Sequence, residues 1–210
     1  MKISLFDQGY TNLISSDTLE DWDELVDVLM NVQVGSKNGA YITRGFCNGP
    51  RADANMQGLD LIVIDGDQLL SAGNTCTPLE PVHEILKSQN IKHCIHSSYS
   101  QNIVNGVFKW RCYVSCDDLV DCGALKQGVG EVISLLHGEG IMVKNVAENG
   151  VESQPWFLPR CPEGFEEDFT CLYHDGIPWT LGKVKVLSSA MCGLAGDNGT
   201  GKIGTGFSWQ

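Results

Sequence analysis

The segment Leu59-Asp60-Leu61-Ile62-Val63-Ile64-Asp65-Gly66-Asp67 sets two carboxylates, two residues apart, at the end of a nearly continuous apolar run. In an extended strand residues two apart leave on the same face, so Asp65 and Asp67 can share a divalent ion, and Gly66 lets a phosphate approach the backbone closely. Paired carboxylates at a strand edge suit two-metal nucleotidyl transfer, in which ions about 3.5–4 Å apart stabilise the attacking and leaving oxygens together. The same residues also suit a simple turn, which aspartates commonly begin.

Further along, His96-Ser97-Ser98-Tyr99-Ser100 closes a predicted strand, where hydroxyls and an imidazole can serve a triphosphate or merely line a polar hairpin loop. Lys109-Trp110-Arg111-Cys112-Tyr113-Val114-Ser115 reads as the next strand, with Arg111, Tyr113 and Ser115 on one face. An arginine in a central strand needs an anion, either Asp65 or Asp67 or a nucleotide phosphate. Glu148 or Glu152 offers a third carboxylate. Nine cysteines include no C-x2-C; Cys112, Cys116 and Cys122, or His93 and His96, lack the pairing of spacings that a zinc finger needs.

Several elements must position these groups. Asp17-Thr18-Leu19-Glu20 resembles a capping box, and Trp22, Leu25, Val26 and Leu29 follow at helical spacing, predicting a helix over 18–31. Residues 40–44 read as a short strand, 45–58 as a loop carrying Arg51, and 59–65 as a buried strand. A helix over 78–89, strands over 91–98 and 107–115, a long helix capped by Asp117 or Asp118 and stopped at Gly138, and a strand over 141–146 complete the series. The order strand, helix, strand, strand, helix, strand predicts an α+β fold, a ferredoxin/RRM-like βαββαβ palm with an N-terminal helix-strand extension. Its helices should cover one sheet face and leave the other open. One domain is expected over 1–180, with its core at 60–160. Residues 181–210 read as a strand and a flexible glycine-rich tail, whose Gly196 to Ile203 only approximates a P-loop.

The 210 residues carry a formal charge of −12 and are 42% hydrophobic. That excludes a disordered tail, and no apolar stretch approaches the roughly 20 residues of a membrane span. The start of the chain lacks the pattern of a secretory signal, so a cytoplasmic protein is expected. Acids concentrate in 1–30 and 161–180, leaving the centre nearly neutral and able to hold a locally basic groove.

Together, Gly49-Pro50-Arg51-Ala52-Asp53-Ala54-Asn55, the run into Asp65-Gly66-Asp67, Ser97-Ser98-Tyr99-Ser100, Trp110-Arg111-Cys112-Tyr113-Val114 and Ser153-Gln154-Pro155-Trp156-Phe157-Leu158-Pro159-Arg160 resemble the primase-polymerase domain of the archaeo-eukaryotic primase superfamily, in its phage and plasmid replication form. The resemblance covers about residues 37–160. It implies that Asp65 and Asp67 hold Mg²⁺ or Mn²⁺ and that the region of Ser97, Ser98 and Ser100 binds the incoming nucleotide with Arg111; beside them, Glu148 is taken as the third metal ligand, and Arg51, His96 and Arg160 as further nucleotide-binding candidates. The implied activity is nucleotidyl transfer from nucleoside triphosphates on a single-stranded DNA template, beside a separate helicase or replication protein. This sequence departs from the family in that His96 precedes the serines, where many members have Ser-x-His, and in lacking the usual third aspartate. The alternative is a catalytically inactive palm-like protein that binds nucleic acid or a replication partner. A D-x-D glycosyltransferase normally builds a parallel nucleotide-binding half before its motif, which the 64 residues ahead of Asp65 barely allow. An acidic interaction protein would work through 1–30 and 161–180 instead.

Overall fold

The computed structural model describes residues 1–7, 15–66, 77–101, 105–119 and 121–182; Asp67 and the glycine-rich tail lie outside them. Ile3–Phe6 (β1) pairs antiparallel with Asp17–Leu19 (β2), and helix α1 follows at Trp22–Met30. The helix starts later than its sequence pattern predicts because Thr18 and Leu19 are taken up by the ladder with Ser4 and Ile3. Asp21, not Asp17, is the N-cap, its carboxylate accepting from the Glu24 amide at 2.9 Å. Trp22, Leu25, Val26 and Leu29 are buried, as their spacing predicts.

Next come Gln33–Val34 (β3), Tyr41–Ile42 (β4) and Leu61–Gly66 (β5), then helix α2 at Leu79–Ser88. His93–Ser97 (β6) and Trp110–Ser115 (β7) precede helix α3 at Cys122–Gly138, and the described chain ends through Trp156–Phe157 (β8), Arg160–Cys161 (β9) and Cys171–His174 (β10). Helix α3 is capped by Asp121, which accepts from Ala124 N at 2.8 Å, rather than by Asp117 or Asp118. No helix among the described residues is long and apolar enough to cross a membrane.

The protein is a mixed α+β structure. Its central sheet is antiparallel, in the order β10-β6-β7-β5, and a second sheet runs β2-β1-β4-β8. The expected strand over 141–146 does not form. Ile141 and Val143 are buried in the core with α3, but the backbone of Val143 is engaged by the His137 ring, whose Nε2 lies 2.8 Å from the Val143 carbonyl, instead of by a neighbouring strand. The fourth strand of the sheet is β10, added at the opposite edge beside β6.

Alternation along the strands sorts their residues onto two faces. Ile62, Ile64, Ile95, Cys112 and Val114 pack against Val82 and Leu86 of α2 and Val129, Val132 and Leu136 of α3. Each such side chain, fully buried, favours folding by roughly 1.5–3 kcal/mol. Helix α3 comes so close at Gly128 that a Cβ there would stand 2.8 Å from Ile62 Cδ1. The other face, expected from the sequence to be open, is covered instead. Leu61, Val63, Cys94 and Tyr113 lie under Leu25 and Leu29 of α1, Ile3 of β1, Ile42 of β4 and Trp156 of β8. The central sheet is thus a middle layer, and among the described residues the end of its second face at Asp65 and Arg111 borders a cleft.

Candidate functional site

At that end, strand register makes one row. Asp65 of β5 pairs with Arg111 of β7, Arg111 with His96 of β6, and His96 with Cys171 of β10. Residues paired across an antiparallel ladder project to the same side, so carboxylate, guanidinium and imidazole share one face by construction. Arg111 Nη2 donates to Asp65 Oδ1 at 3.3 Å, and Nη1 donates to the Phe157 carbonyl at 3.1 Å. The pair is mostly but not wholly buried, with side-chain exposures of 16% and 23% for Arg111 and Asp65. Burial alone would lower the Arg111 pKa; the neighbouring Asp65 carboxylate and Tyr113 outweigh it and hold the group above its ordinary value, so the guanidinium stays charged.

His96 behaves in the opposite way. Burial and the adjacent Arg111 charge push its pKa down to about 3, so its ring is neutral. Its Nδ1 lies 2.8 Å from the Ser97 carbonyl and must carry the proton to donate there. Nε2 is therefore a bare lone pair, buried and without a partner among the described residues.

Around this row lies a cleft of about 580 Å³, its open mouth included, lined by Lys37, Asp65, residues 96–100, Lys109, Arg111 and residues 157–160. Among the described residues, its lining includes four cationic side chains, Lys37, Lys109, Arg111 and Arg160, and one carboxylate, Asp65. The strongly acidic chain thus concentrates positive charge at one place. Lys109 stands two residues before Arg111, the period that keeps side chains on one face. Arg160 opens β9, donates from Nη1 to Gln33 Oε1 at 3.0 Å, and lies over Gly35 and Gly39; a Cβ at Gly39 would overlap its guanidinium. The loop between those glycines carries Lys37. Ser97 is fixed from below by β10's approach, since its Oγ accepts from Thr170 N at 3.0 Å and its amide donates to the Thr170 carbonyl at 2.9 Å.

His96, Ser97, Ser98, Ser100, Arg111 and Arg160 are therefore brought together, with Asp65. Arg51 is not among them. It donates from Nη1 to the Ser153 carbonyl at 2.8 Å and lies over the Tyr41 ring at 5.9 Å, bracing the 45–58 loop. Glu148 is exposed on a short 3₁₀ turn and does not line the cleft. Its neighbour Asn149, fully buried, is the residue that reaches β5, accepting the Asp65 amide on Oδ1 at 3.1 Å. The Glu148 carbonyl accepts from Arg44 Nη2 at 3.3 Å. Arg44 is wholly buried, its guanidinium 5.1 Å from the Trp156 ring, with Arg111 5.0 Å from the same ring. Burial lowers the Arg44 pKa to about 9.

Sequence reasoning missed Lys37, Lys109, Arg44 and Asn149. The period-two relation to Arg111 could have found Lys109; nothing local marks the others. A divalent ion is only partly catered for. Asp65 is engaged by Arg111, and among the described residues no three His, Cys, Asp or Glu side chains converge to hold a metal. Comparison of the chain with known protein families, curated proteins and solved structures found no match.

Proposed function

We propose that the cleft binds a nucleoside triphosphate and that the protein is a metal-dependent nucleotidyltransferase of the primase-polymerase type, acting on a single-stranded DNA template. The convergence of Lys37, Lys109, Arg111 and Arg160 on Asp65, within a chain of net charge −12, carries this reading. So concentrated a positive site suits a polyanion, and a triphosphate matches it in charge and in acceptor oxygens. The planar fork of Arg111 would exchange one partner, Asp65, for phosphate oxygens, while Lys37, Lys109 and Arg160 supply charge from the walls. Ser98 and Ser100 can donate hydroxyl hydrogens, and Phe157 and Leu158 give the cleft an apolar side on which a base or sugar can rest. The neighbour order β6-β7-β5, with α2 and α3 packed on one face, agrees with a palm.

Mg²⁺ or Mn²⁺, held by Asp65 together with Asp67, would supply the charge stabilisation that attack of a 3′-hydroxyl on an α-phosphate requires. With Mn²⁺, single-stranded templates and labelled nucleotides, the purified protein is expected to make extended products that vanish in Asp65→Ala and Asp67→Ala. Nucleotide binding without extension, on primed and unprimed templates and with replication partners added, would instead establish a second reading, an inactive palm-like protein that binds nucleic acid or a replication partner. The Arg111–Asp65 pairing at 3.3 Å favours that alternative, since it occupies the carboxylate a metal would need.

A further inference from the structure

Two thiols lie beneath the cleft. Cys94 of β6 is wholly buried, Cys171 of β10 is half-buried, and their sulfurs are 3.6 Å apart. Cys94 pairs with Tyr173 and Cys171 with His96, so the cysteines are diagonal neighbours on the face that carries Arg111 and Asp65. We propose that Cys94 and Cys171 are an oxidative modification site, which a hydroperoxide converts to a reversible disulfide that ties β10 to β6.

The more accessible sulfur reacts first. The hydrogen bond to Cys171 and burial keep the Cys94 thiol protonated, its pKa well above the ordinary value. Cys171 thiolate attacks the peroxide, the O–O bond breaks, and a sulfenic acid and an alcohol, or water from hydrogen peroxide, result. The Cys94 sulfur then attacks the sulfenic sulfur. The S–S bond forms, the S–O bond breaks, and the thiol proton leaves with the hydroxyl as water. Two thiols lose two electrons and the peroxide gains them.

Diagonal positions on neighbouring strands sit farther apart than a relaxed disulfide prefers, so closure must draw one strand toward the other. β6 is held between two neighbours, whereas β10 is laddered on one side alone, so the adjustment falls mainly on β10. A bond formed this way is strained and readily reduced, as regulatory disulfides are. The movement reaches the cleft directly, because Thr170 holds both Ser97 Oγ and the Ser97 amide, and the Phe169 ring lies 6.2 Å from that of His96.

The test does not depend on any activity of the cleft, so it stands or fails apart from the nucleotidyl-transfer reading. Intact protein is treated with stoichiometric hydrogen peroxide, blocked with an alkylating agent and mapped by mass spectrometry. A Cys94–Cys171 linked peptide is expected, lost on treatment with dithiothreitol and absent from Cys171→Ser. Amide exchange of residues 171–174 should slow severalfold in the oxidised form. The proposal is overturned if Cys171 is recovered only as sulfinic or sulfonic acid or joined to another cysteine, with Cys94 still alkylatable after denaturation. Unchanged exchange in a linked protein would equally remove the clamp. Should Cys171→Ser fail to fold, the linkage map of the unaltered protein decides.

Discussion

The two faces of the central sheet are buried to a similar degree but differ in how completely their polar groups are satisfied. Under α2 and α3, Trp110 Nε1 donates to the Thr77 carbonyl at 2.9 Å, Trp179 Nε1 reaches Glu131 at 3.1 Å, and His93 is engaged at both nitrogens, by the Ile91 carbonyl and by His83. On the other face, Arg44 Nε and Nη1, His96 Nε2, Arg111 Nε, Asn149 Nδ2 and Trp156 Nε1 are buried with no partner among the described residues. Buried polar groups are normally paired, and each unpaired one costs about 1–3 kcal/mol. The helix-covered face carries no such cost at these groups, whereas the second face does, and the rest of the packing must offset it. All but one of those unpaired atoms are donors; Arg111 and His96 line the cleft, whereas Arg44, Asn149 and Trp156 lie in the packed core beside it.

The contrast breaks most plainly by removing packing. Trp110→Ala, on the helix-covered face, is expected to lower stability by about 3–5 kcal/mol in urea unfolding. Acid is a lever at least as large, and it reaches both faces. Burial pushes the pKa of His93 down to about 4 and that of His96 to about 3, whereas the unfolded chain takes up these protons near 6.5. The unfolded state therefore binds protons first as pH falls. The stabilisation is complete above pH 6.5 and is lost progressively toward about 4 for His93 and about 3 for His96, at about 1.4 kcal/mol per group per pH unit. Urea midpoints measured from pH 7 to 4 should fall, and His96→Gln should flatten part of that slope. A stability independent of pH across this window would mean that neither ring is held neutral.

Much of the helix-covered face was legible in the sequence, because periodicity reports burial directly: Val129, Val132, Ile133 and Leu136 are core residues where their spacing puts them. Arg111 beside Asp65 was legible, since the fold pairs those two strands antiparallel; the register that adds His96 to their row was not, because strand order alone does not set register. What covers the second face was not. Nothing in Trp22 to Leu29 says which sheet their apolar stripe will meet, and 141–146 has the pattern of a strand although His137 takes up its backbone. Arg44 was invisible for a related reason: a buried arginine contradicts its own composition, and only Trp156 and the Glu148 carbonyl, over a hundred residues away, explain it. Lys37 sits in a loop whose flanking glycines make sense only once Arg160 is seen to fill the space beside them.

Two glycines sharpen the comparison at a smaller scale. An added methyl at Gly66 would overlap the Trp110 ring, a rigid group inside the packed core, so Gly66→Ala should cost about 1–3 kcal/mol in urea unfolding. At Gly39 the same methyl meets the end of the flexible Arg160 side chain, which can swing aside. Gly39→Ala should leave the thermal midpoint nearly unchanged while weakening triphosphate binding about three- to tenfold by calorimetry, equivalent to about 0.7–1.4 kcal/mol.

The smallest effect belongs to Lys37, exposed at the rim of the cleft. An exposed charge contributes little to folding, about 0–1 kcal/mol, but it acts on an approaching anion through solvent and is screened by salt. Lys37→Ala should therefore leave urea unfolding unchanged, weaken triphosphate binding a fewfold in dilute buffer, and lose that difference near 0.5 M salt. Arg111 is shielded from solvent, so its contribution should persist at that ionic strength. If both variants lost their effect in salt alike, the cleft would be binding anions by its rim alone, and the row of Asp65, Arg111 and His96 would be part of the scaffold.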